Sequence, residues 1–340
     1  MEGAFYLANF AKYMKPSIDS IFLIKNAGDF DLLAYEVFKF QYRNNTVYQT
    51  FCNHLNKTPQ YVKEVSNIPF LPIEFFKSKK IVSSTDAPKI VFESSGTTGT
   101  ATSKHQVTDI NIYEKSYLKG FQHFYGPIED YCVLALLPSY LEREGSSLIY
   151  MVDDLISKSN HTDSGFYLHD VRALKEKLNQ LESAGTKTLL IGVSFALLDL
   201  VEQFQFSLNN TIVMETGGMK GRRKELIRSE LHEILKKGFG VAYIHSEYGM
   251  TELLSQAYSM GNGTFNCPPW MKIVTRDTEN PLEIQKVEKT GGINIIDLAN
   301  INSCSFIATQ DLGKTYSDGS FEVLGRFDHS DIRGCNLMAL

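Results

Sequence analysis

The sequence has no excess of basic residues and no long apolar run. Its 340 residues contain 34 Lys and Arg against 39 Asp and Glu, which gives a net charge of −5 at pH 7. This balance argues against a nucleic-acid partner, and the lack of a polybasic run argues against binding to anionic lipid. The longest apolar stretch, residues 189–198, contains Gly192 and Ser194 and is too short to span a bilayer. We therefore expect no membrane span.

Cysteine is scarce and scattered. No C-x-x-C pair occurs, so the sequence predicts neither a disulfide framework nor a zinc site. The five cysteines are Cys52, Cys132, Cys267, Cys304 and Cys335. Residues 1–17 contain an early acid and no long apolar core, so we expect no signal peptide and a cytoplasmic protein.

The sequence also lacks a Walker phosphate-binding loop, yet residues 94–100 (SSGTTGT) have the composition of a phosphate site. They follow an apolar run at 90–92 that predicts a buried strand. Glycines and short hydroxyls after a strand present backbone N–H groups to a polyphosphate without steric bulk. Lys104 and His105, just beyond, could add positive charge. The alternative is a surface loop, the more common role of such clusters.

Strand and helix patterns alternate from residue 89 to residue 244, which predicts mainly parallel sheets covered by helices. The predicted strands are 89–92, 131–137, 188–193, 211–215 and 241–244, and the predicted helices are 109–125, 145–157, 168–184, 194–204 and 220–237. Thr108 is a candidate cap for the first of these helices. From residue 255 onward, short strands separated by turn residues predict an antiparallel β-subdomain. The strands predicted there are 256–260, 272–276, 293–298, 303–308 and 321–324.

Three later segments form a pattern together with the glycine loop at 94–100. METGGMKGR (214–222) has a glycine pair at the end of a strand, where a flat ring could lie against bare backbone. SEYGMTEL (246–253) combines an aromatic ring, a hydroxyl and a carboxylate. DLGKTYSDGSFEVLGRFDHSDIRGCN (311–336) carries an Asp, an Arg and several acids. Their order and spacing are more informative than any one of them.

Together these segments resemble the adenylate-forming superfamily of acyl- and aryl-CoA ligases, adenylation domains and luciferases. Within it the chain is most similar to the acyl-protein synthetases of bacterial bioluminescence (LuxE-like). Residues 135–151 and 192–200 also look like that subfamily, and the resemblance covers nearly the whole chain from about Pro72. It implies an α/β large domain. We expect a helical part (1–86), an adenylation core (87–254), a β-subdomain of the same domain (255–327) and a hinge-like tail (328–340). The small C-terminal domain of the superfamily is expected to be absent.

The resemblance implies sites for ATP and Mg²⁺. Thr251 would contact the α-phosphate, and Glu252 would bind Mg²⁺. Asp311 would accept the ribose hydroxyls, and Arg326 would contact the ribose or the phosphates. Tyr248 would stack on adenine. The other implied cofactor-binding residues are Ser94, Ser95, Gly96, Thr97, Thr98, Gly99 and Lys104 for the phosphates, Gly217 and Gly218 for the adenine slot, and Gly249. Alternatives remain a β-turn role for Asp311 and a helix cap for Glu252.

The implied catalytic residues are Cys335, Lys104, His105 and Thr251. Superfamily members use a lysine of the C-terminal domain, so Lys104 and His105 are candidate replacements. Cys335 matches a near-terminal cysteine that takes the acyl group as a thioester in the acyl-protein synthetases, and its alternative is an inert thiol. His245, beside the predicted adenylate site, is more often a structural residue when it ends a buried strand.

The function implied is ATP- and Mg²⁺-dependent activation of a carboxylic acid, expected to be a fatty acid, as acyl-AMP. The acyl group then passes to Cys335 for delivery to a partner such as an acyl reductase. Two alternatives stay open: a phenylacetate-type CoA ligase and a non-catalytic adenylate-binding subunit. The sequence does not identify the acid, the acceptor or the oligomeric state.

Overall fold

The computed structural model of the protein describes residues 15–94, 102–138, 145–217 and 226–326. The chain divides into two compact units. The first contains Met1–Tyr113, Glu252–Ser255 and Cys267–Leu340, and the second contains Glu114–Thr251 and Gln256–Asn266. The domain boundaries expected from the sequence remain a prediction.

Helices dominate the start of the described chain and strands its end, and the two alternate between them. The strands are β1 (Leu71–Pro72), β2 (Ile90–Glu93), β3 (Lys104–Val107), β4 (Cys132–Leu136), β5 (Gly165–Phe166), β6 (Thr188–Val193), β7 (Thr211–Thr216), β8 (His245–Tyr248), β9 (Ala257–Ser259), β10 (Thr264–Phe265), β11 (Met271–Arg276), β12 (Thr290–Asp297), β13 (Phe306–Thr315) and β14 (Phe321–Arg326). The α-helices are Ile18–Ile21, Ala27–Asn44, Thr46–His54, Phe75–Ser78, Ile110–Tyr125, Ser147–Ser159, Val171–Ser183, Ser194–Gln203 and Arg228–Phe239. Short 3-10 turns occur at Val65–Asn67, Ile128–Asp130 and Leu298–Asn300.

The second unit is built on a mainly parallel sheet with the strand order β5-β4-β6-β7-β8-β9. The pairs from β5 to β8 are parallel, and β9 runs antiparallel to β8. Every residue of β4 and β6 is buried, as expected for strands that are covered on both faces. The mainly parallel sheet is therefore confirmed. The strand β9, which the sequence groups with the later antiparallel strands, instead closes this sheet.

The first unit is built on an antiparallel sheet in which β14, β13, β12 and β11 are neighbours and β1 pairs in parallel with β13. The helix Ala27–Asn44 lies against β13, where Phe38 meets Phe306 edge to face with 6.2 Å between ring centroids. Gln41 of the same helix is buried, and its Nε2 lies 3.0 Å from the carbonyl oxygens of Asn300 and Ile301. The amide of a buried helix residue thus finds hydrogen-bond acceptors in the turn after β12.

Two local predictions are corrected. The strand predicted as buried at 89–92 is β2, which pairs only with β3 in a two-stranded sheet and buries only Phe92 of its four residues. The strand predicted at 241–244 lies at 245–248, because the side chain of Tyr243 is 56% exposed while Ser246, Glu247 and Tyr248 are buried.

The cap of the helix Ile110–Tyr125 also differs from the prediction. Asp109 accepts a hydrogen bond from the backbone N–H of Asn111 over 3.2 Å, so its carboxylate caps the helix. Thr108 is buried, and its hydroxyl has no hydrogen-bond partner within the described residues. Over the same residues, the structure contains no helix with the length and apolar character needed to cross a bilayer.

Candidate active site

The β2–β3 hairpin holds the two ends of the glycine loop together. The Ser94 N–H donates to the Ser103 carbonyl over 3.0 Å, and the Ser103 N–H donates to the Ser94 hydroxyl over 2.9 Å. The predicted site residues Ser95, Gly96, Thr97, Thr98 and Gly99 lie between them and outside the described residues. Ser94 and Ser103 therefore fix where the loop leaves and re-enters the hairpin.

Lys104 and His105 occupy opposite faces of β3, because successive side chains alternate along a strand. Lys104 is exposed, and its Nζ lies 3.2 Å from the Glu93 carboxylate on β2. His105 is buried, and its ring meets the ring of Phe76 edge to face with centroids 5.7 Å apart. Lys104 is thus open to a ligand, whereas the imidazole of His105 is packed in the core.

Glu252 is buried beside the hairpin. Burial raises the pKa of its carboxyl, and a hydrogen bond from Ser103 and the positive charges of Arg326 and Lys77 act in the opposite direction. Residues 253–256 do not form a helix, so Glu252 is not the helix cap that the sequence allowed. Ser103 and Lys77 belong to none of the motifs, so the sequence alone did not reveal either of them.

Asp311 lies within β13 rather than in a turn, which excludes the β-turn alternative. It faces Arg326 of β14 in the strand register, and the Arg326 Nε lies 3.3 Å from the Asp311 carboxylate. Arg326 is mostly exposed, and Asp311 is nearly buried. The first unit therefore links Ser94, Ser103 and Glu252 by hydrogen bonds and Arg326 to Asp311 by an ion pair, and the charge of Arg326 also acts on the Glu252 carboxyl.

In the second unit, predicted site residues follow directly after the carboxyl ends of parallel strands. Gly217 comes after β7 and Gly249 after β8, while Ser194 follows β6. Open parallel sheets bind ligands at this edge. The Ser194 hydroxyl donates to the Gly217 carbonyl over 2.6 Å, which holds the backbone there. Gly218 lies outside the described residues.

Glu215 lies on β7, two residues before Gly217, and stabilises the same edge of the sheet. Its carboxylate lies 3.1 Å from the Ser194 hydroxyl, 3.5 Å from the Arg228 Nε and 3.7 Å from the His232 Nε2. Burial acts to raise the pKa of Glu215, but the neighbouring His232 and the charge of Arg228 outweigh it and hold the pKa below its usual value. This cluster joins the helix Arg228–Phe239 to β7; Glu215 lies in the METGGMKGR motif, but its partners Arg228 and His232 lie outside every motif.

Tyr248 is buried at the end of β8, and its ring meets Phe265 edge to face at 5.9 Å. Gly249 has no room for a side chain, since a Cβ there would lie 2.4 Å from the Glu247 carboxylate. Thr251 is half-buried in the turn that follows.

Glu247 is a buried and His245 a half-buried polar group of β8. The pKa of Glu247 is raised to about 7, chiefly by burial and also by the charge of Glu215, although a hydrogen bond from Thr216 acts to lower it. Burial lowers the pKa of His245 to about 4, and its Nδ1 lies 3.2 Å from the Tyr125 hydroxyl. A neutral, hydrogen-bonded histidine fits the structural role that the sequence allowed for His245.

The residues present fit a magnesium ion that is bound in one particular way. Within the described part of the chain, no group of three or more His, Cys, Asp or Glu could enclose a metal. Mg²⁺ usually keeps several waters and binds one or two carboxylates together with substrate phosphates. The single carboxylate of Glu252, hydrogen-bonded to Ser103 just after the glycine loop, suits that mode. Cys335, like the tail around it, lies outside the described residues.

Comparison with known proteins gives one family and one fold. A family model described as acyl-protein synthetase, LuxE, matches residues 29–339. No curated protein matches the sequence.

Three solved structures illustrate the fold. An open conformation of 2-hydroxyisobutyryl-CoA ligase in complex with 2-HIB-AMP and CoA has a TM-score of 0.65 at 11% identity, covering 94% of this chain and 75% of that one. ATP-bound MatB from Rhodopseudomonas palustris has a TM-score of 0.51 at 16% identity, covering 82% and 56%. An ATP-bound RpMatB-BxBclM chimera has a TM-score of 0.51 at 17% identity, covering 69% and 47%.

These likenesses confirm the predicted fold class, the α/β large domain of adenylate-forming enzymes. The chain spans about half the length of the solved structures that it matches first.

Proposed function

The chain belongs to the acyl-protein synthetase LuxE family, and from that membership we propose that it uses ATP and Mg²⁺ to activate a carboxylic acid as an acyl-adenylate and then passes the acyl group to the thiol of Cys335. A fatty acid is the proposed substrate, and an acyl reductase is the proposed partner. The observation that carries the proposal is the position of Glu252. Its buried carboxylate is hydrogen-bonded to Ser103, which closes the glycine loop.

Phosphate binding would fall to the glycine loop and the cations near it. Ser94 and the loop residues Ser95, Gly96, Thr97, Thr98 and Gly99 would donate hydrogen bonds to the β- and γ-phosphates. Lys104 is exposed and would add a positive charge. Lys77 is also exposed and interacts with Glu252, so it is a further candidate for this role. Dense donors and positive charge suit a polyphosphate.

Nucleoside binding would use residues with matching chemistry. Asp311 would accept both ribose hydroxyls, because one carboxylate has two acceptor oxygens. Arg326, already beside Asp311, would contact the ribose or a phosphate. Gly217 and Gly218 would line one side of the adenine ring and Tyr248 would stack on the other, with Gly249 as the adjoining backbone.

Formation of the acyl-adenylate depends more on aligning the carboxylate with the α-phosphate than on a strong acid or base. A carboxylate oxygen of the acid attacks the α-phosphorus, an acyl-phosphate bond forms, and pyrophosphate leaves with the electron pair of the broken P–O bond. Thr251 would hydrogen-bond the α-phosphate, and the loop N–H groups would stabilise the charge that builds there. Mg²⁺ held by Glu252 would neutralise phosphate charge. Because His105 is packed against Phe76 while Lys104 is exposed, we propose Lys104 rather than His105 as the replacement for the lysine of the C-terminal domain.

The acyl acceptor is proposed to be Cys335. Burial raises the pKa of the Cys52 thiol to about 12 and of the Cys132 thiol to about 11. Burial also raises the pKa values of Cys267 and Cys304. Since the thiolate is the nucleophile, these four thiols are poor acceptors near neutral pH. The Cys335 thiolate would attack the acyl carbon of the adenylate and AMP would leave, giving a thioester.

The test is acyl transfer to the protein. Incubation with Mg·ATP and a radiolabelled fatty acid, followed by denaturation, is expected to leave label on the protein that hydroxylamine releases. Cys335→Ala should abolish the labelling, and Cys267→Ala, the matched control, should retain it. Equal labelling of the Cys335→Ala protein would refute the thioester role. Release of free acyl-CoA only when CoA is added, with no labelled protein, would instead identify a CoA ligase.

A further inference from the structure

Asp297 lies at the end of β12, against the segment that follows Glu252. It is fully buried and accepts four hydrogen bonds. The donors are the Leu254 N–H at 2.8 Å, the Ser255 N–H at 3.1 Å, the Ser255 hydroxyl at 2.6 Å and the Ala299 N–H at 3.1 Å. Three of the four come from residues two or three positions beyond Glu252 along the chain.

Two further contacts tie down the same segment. The side-chain amide of Asn300 donates to the backbone carbonyl of Glu252 itself over 2.7 Å. The Trp270 indole N–H donates to the Ser255 hydroxyl over 3.1 Å. Residues 252–255 form neither a helix nor a strand, so side chains supply the hydrogen bonds that regular structure would otherwise give their backbone.

We propose that Asp297, assisted by Asn300, is a positioning residue that fixes the backbone around Glu252, so that the Glu252 carboxylate is held ready for Mg²⁺ and the triphosphate. This inference rests on the proposed function. Neither residue belongs to a motif of the sequence, and neither is assigned a role by the family match. Glu252 is thereby held in two ways: Ser103 binds its carboxylate, while Asn300 binds its backbone carbonyl and Asp297 binds the backbone of the two residues at 254 and 255.

The physical reason is the cost of misplacing a metal ligand. A buried carboxylate is tolerated only when donors satisfy it, and Asp297 has four. Asp297→Asn replaces one acceptor oxygen with an amide NH₂, which is a donor. This donor would face the N–H and O–H donors of residues 254 and 255, with no acceptor between them. The segment would then have to move. A ligand shift of about 1 Å is enough to weaken a preorganised site substantially.

The experiment compares Asp297→Asn with the wild-type protein in three measurements. The first is the Mg²⁺ concentration that gives half-maximal ATP–pyrophosphate exchange, which should rise about tenfold or more, the effect of losing a hydrogen bond to a charged group. The second is calorimetric binding of ATP with and without Mg²⁺, where only the Mg²⁺-dependent gain should shrink. The third is amide hydrogen exchange of Leu254 and Ser255, which should become faster.

Asn294→Ala is the matched control. Asn294 lies on β12 three residues before Asp297, is buried, and accepts a hydrogen bond from Arg276 instead of from the 252–255 segment. It should lower the melting temperature without changing the Mg²⁺ requirement. Ser255→Ala removes the 2.6 Å hydroxyl donor to Asp297 together with the acceptor for the Trp270 indole N–H, keeps the two backbone N–H donors, and serves if Asp297→Asn folds poorly. It should raise the Mg²⁺ requirement in the same direction but less.

Each outcome decides the proposal. If the variants lower the melting temperature as Asn294→Ala does and leave the Mg²⁺ requirement within about twofold of wild type, the positioning role is refuted. If the wild-type protein shows no acid-dependent exchange at all, the proposed function fails. Amide exchange and calorimetry then still decide the role of Asp297, since faster exchange at 254 and 255 with a smaller Mg²⁺-dependent gain supports it. Unchanged amide hydrogen exchange at 254 and 255, together with unchanged Mg²⁺-dependent ATP binding, overturns the positioning role.

Discussion

Glu247 is a carboxyl group that burial keeps protonated close to neutral pH. Its pKa of about 7 lies above the ordinary value of 4.5. The folded protein therefore binds this proton more tightly than the unfolded chain, and stability falls as the pH rises between these two values. His245 acts in the opposite direction, because its pKa is lowered to about 4 and it must stay neutral in the fold.

The first prediction isolates Glu247 by subtraction. Glu247→Gln keeps an acceptor for Thr216 and removes the titration. The free energy of unfolding of the wild type, relative to Glu247→Gln, should fall by up to roughly 3 kcal/mol between pH 4.5 and pH 7. Urea unfolding of both proteins across this range measures the difference, in which the contribution of His245 cancels. A difference that stays flat with pH would show that Glu247 ionises normally.

Asp311 supports a prediction about nucleotide choice. If its carboxylate accepts the ribose hydroxyls, wild-type protein should bind 2′-deoxy-ATP about tenfold more weakly than ATP or worse, the effect of a lost hydrogen bond to a charged group. Asp311→Asn should bind ATP more weakly and discriminate less between the two nucleotides. Calorimetric titration provides the constants.

The control for Asp311 is Asp318→Asn. Asp318 is exposed in the turn between β13 and β14, where its carboxylate accepts hydrogen bonds from the N–H and the hydroxyl of Ser320, and it carries no proposed role. The variant should keep the wild-type preference for ATP. Equal discrimination by wild type and Asp311→Asn would remove the ribose role from Asp311.

At this scale the sequence led to candidate roles but not to the contacts around each residue. Glu252 and Asp311 stand in recognisable motifs, and the family resemblance of those motifs implies their roles, which stay predictions. Ser103, Lys77 and Asp297 could not be found in this way, because a serine, a lysine and an aspartate outside any motif are ordinary. Their significance comes from contacts with residues far away in the chain.

At the scale of elements, glycines that end helices differ in what surrounds them. Gly240 follows the helix Arg228–Phe239 with φ 68°, and a Cβ there would lie 2.7 Å from the Phe206 carbonyl oxygen. Gly185 lies just beyond the helix Val171–Ser183, also with φ 68°, but a Cβ would meet nothing within 4 Å. The two positions share their backbone conformation and differ in their neighbours.

This pair gives the third prediction. Gly185→Ala should lower the free energy of unfolding by about 1–2 kcal/mol, the cost of a left-handed alanine. Gly240→Ala should lower it by that amount plus about 1–3 kcal/mol of overpacking against backbone that cannot rotate away. Urea unfolding measures both. Equal losses would mean that the segment at Phe206 moves freely, contrary to the packing observed.

The elements that the sequence predicted well are those whose burial follows their apolar pattern. The strand predicted at 188–193 coincides with β6, all of whose residues are buried. The strand β8 was missed by four residues, because its sequence HSEY is polar and the apolar residues before it point outward in part. Its polar side chains can be buried because neighbouring residues satisfy them: Thr216 bonds Glu247, and Tyr125 contacts His245.

At the scale of the whole molecule, the alternation of strands and helices predicted the fold class. The sequence did not predict which segments group into each compact unit. The first unit takes in Glu252–Ser255, a short stretch separated along the chain from its other parts. No change of composition marks that stretch. Long-range hydrogen bonds join it to Asp297 and Asn300 of the same unit, and only the folded chain reveals them.

The central claim is that this chain activates a carboxylic acid at the expense of ATP. ATP–pyrophosphate exchange tests it most directly, because it reports the first half-reaction whatever the acceptor is. We predict exchange that requires both Mg²⁺ and a carboxylic acid, that persists in Cys335→Ala, and that Glu252→Gln reduces at least about tenfold. Exchange absent across a panel of fatty and aromatic acids, with folded protein and Mg·ATP present, would contradict the claim.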